Sequence, residues 1–176
     1  MTRALLVLVA GLIAACGGNE ELPEVDAEES LAIQGPFEDG DAIPETYTCD
    51  GEDVSPRLAW EAFEGADEYA LIMSDPDAPG GTFVHWVVFG LPADQTALDE
   101  GAQIAEANTG TNSSDTTGYS GPCPPEGDGP HRYEFTVYAL VGAPNDLEPG
   151  TSAVDLLDAI DDSVRASGTL TGTYGR

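Results

Sequence analysis

Apolar positions along this chain fall into short runs closed by Gly, Pro or Asp. Residues 31–34, 58–60, 69–74, 83–89 and 133–140 are each rich in β-branched or aromatic side chains and flanked by turn formers, which predicts strands rather than helices. One stretch near the end has a different period. Ser152-Ala-Val-Asp155 makes a start resembling a capping box, Val154, Leu157, Ile160 and Val164 recur at helical spacing, and Gly168 supplies a stop, so a helix is expected there. Residues 97–118, with Gly, Thr, Asn and Ser from Asn108 onward, read as a long irregular loop. Short strands with one late helix predict a mainly β fold, an antiparallel β-sandwich with a few peripheral helices.

A further pattern occupies the start of the chain. Residues 4–15 form an apolar run behind Arg3, shorter than the roughly 20 residues a bilayer-spanning helix needs, and so read as a signal peptide over 1–15. Its end, Leu12-Ile-Ala-Ala-Cys16, is similar to a lipobox, which implies cleavage before Cys16 and a lipid thioether on its sulfur. The alternative is an ordinary secreted chain cut near Ala15 with a free thiol. Residues 17–30 carry Glu20, Glu21, Glu24, Asp26, Glu28 and Glu29 with little apolar beyond Leu22 and Val25. Like charges keep such a segment extended, so 16–30 is expected to be a lipidated cysteine on an acidic tether. Residues 31–176 then suffice for one domain with its own core.

Charge removes one class of partner. The chain has no Lys and five Arg against 33 acidic residues, a formal net charge of -28, and lacks the counter-charge that binding to a nucleic-acid backbone requires. Such an acidic balance suits a saline habitat or simply a solvated face. With Cys16 consumed by lipid, Cys49 and Cys123 remain. An even remainder in an exported protein suggests a disulfide; two reduced, buried cysteines are the alternative.

The only histidines, His85 and His131, mark the candidate chemistry. Strict alternation places His85 on one face with Phe83 and Val87, His131 with Tyr133, Phe135 and Val137, and Asp75 with Leu71 and Met73. Each ionisable group thus continues an apolar face near the end of a strand. A lone inward His is commonly a satisfied core group, and Asp-Pro is a common turn starter. Three such groups together argue for mutual pairing or a polar pocket, because burial without a partner is costly. Beside them the segment Tyr119-Ser-Gly-Pro-Cys-Pro-Pro-Glu-Gly-Asp-Gly-Pro-His131 is a loop whose Pro and Gly residues fix a shape.

These residues also fall into longer motifs. Asp75-Pro-Asp-Ala-Pro79, Gly81-Thr-Phe-Val-His-Trp86, Gly121-Pro-Cys-Pro-Pro125 and His131-Arg-Tyr-Glu-Phe-Thr-Val-Tyr-Ala-Leu140 stand in order, with Ile43-Pro44, Tyr47-Thr-Cys-Asp-Gly51, Ser55-Pro56 and Gly172-Thr-Tyr-Gly175 around them. Over residues 31–176 the chain resembles the phosphatidylethanolamine-binding protein family, in particular its bacterial YbhB/YbcL-like branch. The resemblance implies a central antiparallel sheet packed on another sheet, and a pocket lined by Asp75, His85, His131 and Tyr133 with Pro79, Gly121, Pro124 and Pro125 as its wall. It further implies small anions or phospholipid head groups as ligands; no cofactor or metal is expected. Arg132, pointing away from His131 on its strand, is not expected in the pocket. Two other functions are compatible with these residues: a hydrolase using two His and a carboxylate as metal ligands or an acid–base pair, without a Gly-x-Ser-x-Gly elbow, and a protease inhibitor or other protein-interaction regulator. The reading favoured is an extracytoplasmic lipoprotein, anchored to the membrane, that binds rather than catalyses.

Overall fold

In the computed structural model, which describes residues 21–144 and 147–176, eight strands and one α-helix follow in the order β1 (Glu29–Ser30), β2 (Ile33–Gln34), β3 (Leu58–Trp60), β4 (Glu68–Asp75), β5 (Phe83–Pro92), β6 (Ala97–Leu98), β7 (His131–Leu140), α1 (Ala153–Ile160) and β8 (Val164–Tyr174). The expected signal peptide over 1–15 and the lipidated Cys16 lie outside the described residues. The larger sheet runs β1-β8-β7-β4-β5 and the smaller β2-β3-β6. Every pairing is antiparallel except β1 with β8. The expected antiparallel sandwich is therefore the observed fold.

Two apolar clusters explain the run pattern. One lies between the sheets and joins Leu58, Trp60 and Leu98 to Tyr69, Leu71, Met73, Tyr133, Phe135 and Val137. The other lies on the outer face of the larger sheet, where α1 contributes Leu156, Leu157 and Ile160 against Ala70, Ile72 and Val87. β4 is covered on both faces and buried along nearly its whole length, so its centre, residues 69–73, is an unbroken apolar run. β7 has one face against the inter-sheet core and shows the alternation instead.

Three sequence expectations change here. The late helix ends at Ile160, a short 3-10 turn follows over Asp161–Ser163, and Val164 opens strand β8. The segment after it alternates Thr169, Thr171 and Thr173 with Gly168, Leu170 and Gly172, a period of two that outweighs the helical placement of Val164. Gly168 is no helix stop. It pairs with Val137, and a Cβ there would collide with the backbone of Leu31. The tether also changes: Leu22, Val25 and Ala27 pack against the outer cluster, and Glu29–Ser30 pairs with Ala166 and Ser167, so the folded part begins before residue 31. Finally, the 97–118 loop contains β6 and a 3-10 turn over Glu106–Asn108.

Candidate functional site

Asp75 closes β4 at a chain reversal, and its two carboxylate oxygens have separate partners. Oδ1 accepts the Asp77 N–H at 2.9 Å, an Asx turn that starts the β4–β5 connection. Oδ2 accepts from Nδ1–H of His131, the first residue of β7, at 2.8 Å. The two side chains are 4% and 5% exposed, so this is a buried pair. Burial disfavours charge on His131, but the hydrogen bond and charge of Asp75, helped by Asp128, outweigh it and raise the pKa above the ordinary 6.5. The Asp75 carboxylate therefore favours the protonated form of His131 over that of an ordinary imidazole.

The next residue fixes the other side of the turn. Arg132 Nε and one terminal nitrogen donate to Asp77 Oδ2 and Oδ1, each at 2.8 Å, and the Arg132 backbone N–H also reaches Oδ2. These bonds hold the Asp77 carboxyl down at about 2, the hydrogen bonds from the guanidinium being the largest influence. Arg132 is half exposed, faces Asp77, and does not line the cleft described below. It ties the start of β7 to the turn beneath the site.

His85 is placed by an irregularity that strict alternation misses. Ser74 pairs with Val84 and Met73 with Trp86, which leaves His85 as the extra residue of a β-bulge. A bulge re-aims side chains. His85 and Trp86 accordingly both lie on the inter-sheet side, beside Tyr133 and within the inter-sheet core respectively, while Val87 belongs to the outer cluster. The expectation that His85 shares a face with Val87 fails for this reason; its neighbours are Phe83 at 4.7 Å and Tyr133 at 5.3 Å between ring centres. Its Nδ1–H donates to the Ser120 carbonyl at 2.7 Å, leaving Nε2 as an acceptor. Burial keeps the His85 pKa below 6.5, against the opposing influence of the Ser120 carbonyl and the charges of Asp75 and Asp53. The pKa values of the two histidines thus move in opposite directions.

The wall comes from the Pro/Gly loop. The Gly121 N–H donates to Asp53 Oδ1 at 2.7 Å, and a Cβ at Gly121 would stand 2.5 Å from the Tyr47 carbonyl oxygen, so no other residue fits there without displacement. The Cys49 N–H donates to the Pro122 carbonyl, and a disulfide joins Cys49 to Cys123 across a Cα separation of 5.4 Å. These ties fix the loop against the segment that precedes β3.

Together the elements enclose a cleft of about 410 Å³. All eight residues named from the sequence line it: Asp75, Pro79, His85, Gly121, Pro124, Pro125, His131 and Tyr133. The Tyr133 hydroxyl is buried and makes no close hydrogen bond; burial first, then the charge and proximity of the Asp75 carboxylate, push the phenol well up, against a smaller opposing influence of the Cys123 backbone. It is a neutral donor turned to a polar site. Sequence reasoning missed Ala78, Phe83, Ser114, Ser120 and Cys123 in the lining, and Asp128, whose carboxylate is 3.6 Å from His131 Nε2. Asp128 stands three residues before His131 inside Gly-Asp-Gly, a spacing that points to it once the turn is known. A larger cleft of about 520 Å³ borders the same 119–121 segment, between Asp53, Trp86, Glu106 and Tyr119; it is lined by carboxylates without a cation and does not suit an anion.

Comparison with known proteins agrees with this fold. The family model described as phosphatidylethanolamine-binding protein matches residues 34–175. A UPF0098 protein of Methanothermobacter thermautotrophicus is 46% identical over 146 residues, covering 80% of this chain and 95% of that one. A Mycobacterium tuberculosis protein described as lipoprotein LppC is 38% identical over 185 residues, covering 97% and 92%. Among solved structures, a phosphatidylethanolamine-binding protein homologue from Chlamydia trachomatis superposes with a TM-score of 0.77 at 36% identity, covering 84% of this chain and 99% of that one. YbcL of E. coli superposes with a TM-score of 0.75 at 26% identity, covering the same shares. The chain belongs to the phosphatidylethanolamine-binding protein family.

Proposed function

We propose that this chain binds small phosphorylated anions, inorganic phosphate or a phospholipid head group, in the His131 cleft, as a lipid-tethered protein of the cell envelope. The buried Asp75–His131 pair carries the reading: it sets at the cleft an imidazole whose protonated form is favoured, with the Tyr133 hydroxyl beside it and free of any close hydrogen bond. Buried polar groups in native proteins find partners, and an oxyanion supplies acceptors for both. Neutral His85 complements them, because its Nε2 accepts from a protonated phosphate oxygen or a ligand ammonium.

The strongly acidic surface works against anion approach, yet charges beyond about 10 Å are largely screened at 0.1 M salt. Envelope location is supported by the likeness to the lipoprotein LppC and by the lipobox-like end of the 4–15 run. The likeness to YbcL supports the bacterial branch. Hydrolysis is less well supported: among the described residues no three His, Cys, Asp or Glu side chains converge as metal ligands, and no hydroxyl or thiol nucleophile is hydrogen-bonded to either histidine.

Titration calorimetry at pH 6.5 with inorganic phosphate and with phosphoethanolamine tests the proposal. His131→Ala is expected to weaken binding by about 10- to 100-fold, the loss of one charge-assisted hydrogen bond. His131→Gln, which keeps a donor without the charge, should fall between it and the unaltered protein, and Glu148→Ala should change nothing. Equal affinity in all four folded proteins would contradict the proposal.

A further inference from the structure

We propose that Asp128 is a specificity-determining residue of this cleft, one that holds the Nε2 side of His131 against bare phosphate and favours a phosphate bearing its own cationic group. The inference rests on the reading of the cleft as an anion site. An imidazolium has two N–H donors. Asp75 takes the Nδ1 donor at 2.8 Å, so a ligand oxygen competes for Nε2 alone. That position already faces Asp128 Oδ2 at 3.6 Å. The separation is well beyond the 2.7–2.9 Å or so of a close charge-assisted hydrogen bond, so Asp128 holds the place loosely and a better-placed oxygen can take it.

The setting of Asp128 suits displacement. Its side chain is 50% exposed, so the carboxylate reaches water by a small movement. It stands between Gly127 and Gly129, both at positive φ of 82° and 95°, conformations that glycine adopts without a steric penalty. Its own N–H donates to the carbonyl of Pro125, a residue of the cleft wall, at 3.2 Å, which holds its backbone in place when the side chain swings out.

Charge then decides what enters. The groups facing His131 are Asp75 from β4, Asp128 from the turn, and His85 and Tyr133, which are uncharged at neutral pH. Asp77 is also near but is neutralised by Arg132. Two carboxylates therefore meet one imidazolium, and a bare phosphate adds more negative charge to a site already in deficit. A ligand whose phosphate carries an ammonium a few bonds away returns a partner to the displaced Asp128 carboxylate, replacing the ion pair it broke.

The experiment compares inorganic phosphate and phosphoethanolamine by calorimetry on the full chain, on Asp128→Asn and Asp128→Ala, and on Glu126→Gln as a control for loss of a charge from the same loop. Asp128→Asn is expected to bind bare phosphate about three- to fivefold more tightly, the top of the range for a half-exposed ion pair. Phosphoethanolamine should gain nothing or lose affinity, so the preference between the two ligands narrows. In the free protein, the His131 imidazole followed by NMR should titrate at lower pH in Asp128→Asn than in the unaltered chain. Equal change for both ligands, no change beyond that of Glu126→Gln, or an unmoved His131 titration overturns the inference while leaving the anion site standing. Absence of binding by every variant overturns both.

Discussion

Replacing both bridging cysteines, as Cys49→Ser with Cys123→Ser, is expected to lower the free energy of unfolding by about 4 kcal/mol, the chain-entropy value for a loop of this size. The bridge spans 74 positions of sequence, so its loss frees much of the unfolded chain. For a domain near 150 residues that corresponds to a fall in Tm of roughly 8–16 °C. Urea unfolding of the unaltered protein with and without reductant should reproduce the deficit without the substitution. The cleft should also suffer, because Cys123 lines it and the Pro122 carbonyl is held by the Cys49 N–H. A loss below about 1 kcal/mol would mean that the bridge is absent in the isolated protein or that other contacts hold its two loops.

Asp75→Ala should be the most damaging single change at the site, at about 3–5 kcal/mol, the range for leaving one member of a buried ion pair unpartnered. It also removes the acceptor that starts the β4–β5 turn. The deficit has a definite pH dependence. His131 has a raised pKa in the folded protein, so its contribution to stability is fully present below the unfolded value of about 6.5 and is lost as pH rises through the raised one. The difference in stability between the unaltered protein and Asp75→Ala is therefore expected to be greatest below about pH 6.5 and to shrink above it. His85, with its pKa lowered by burial against the opposing charge of Asp75, is lowered further when Asp75 is lost, which adds to the deficit at low pH and so acts in the same direction. Urea midpoints from pH 5.5 to 8.5 supply the comparison, and a deficit that grows with pH would reverse the assignment of charge to His131.

Much of the fold is legible because burial is written into the run pattern. β3 spans Leu58–Trp60 as its apolar run implies, and β4, β5 and β7 differ from the expected runs only at their ends. β8 was hidden because its glycines replace the bulky side chains that ordinarily announce a strand: Gly168 makes room for Leu31, and Gly172 for Phe37 and Ile43. Such a requirement arises only from the approach of distant segments. The packing of Leu22, Val25 and Ala27 was obscured by acidic neighbours that remain solvated while those three side chains turn to the outer cluster. As for the cleft, chain order and resemblance indicated which residues gather, but not how they pair. The bulge that re-aims His85, the Ser120 carbonyl that sets its tautomer, and the Asp128 carboxylate facing His131 each depend on register or on a turn shape that no short motif encodes.

The most direct test of the cleft's charge assignment is an NMR titration of the two histidines, with and without saturating inorganic phosphate. His131 is predicted to titrate above 6.5 in the free protein and higher still with phosphate, since a bound anion favours the imidazolium. His85 is predicted to titrate below 6.5. A His131 that titrates at or below 6.5, or that does not move when phosphate is added, would contradict the account.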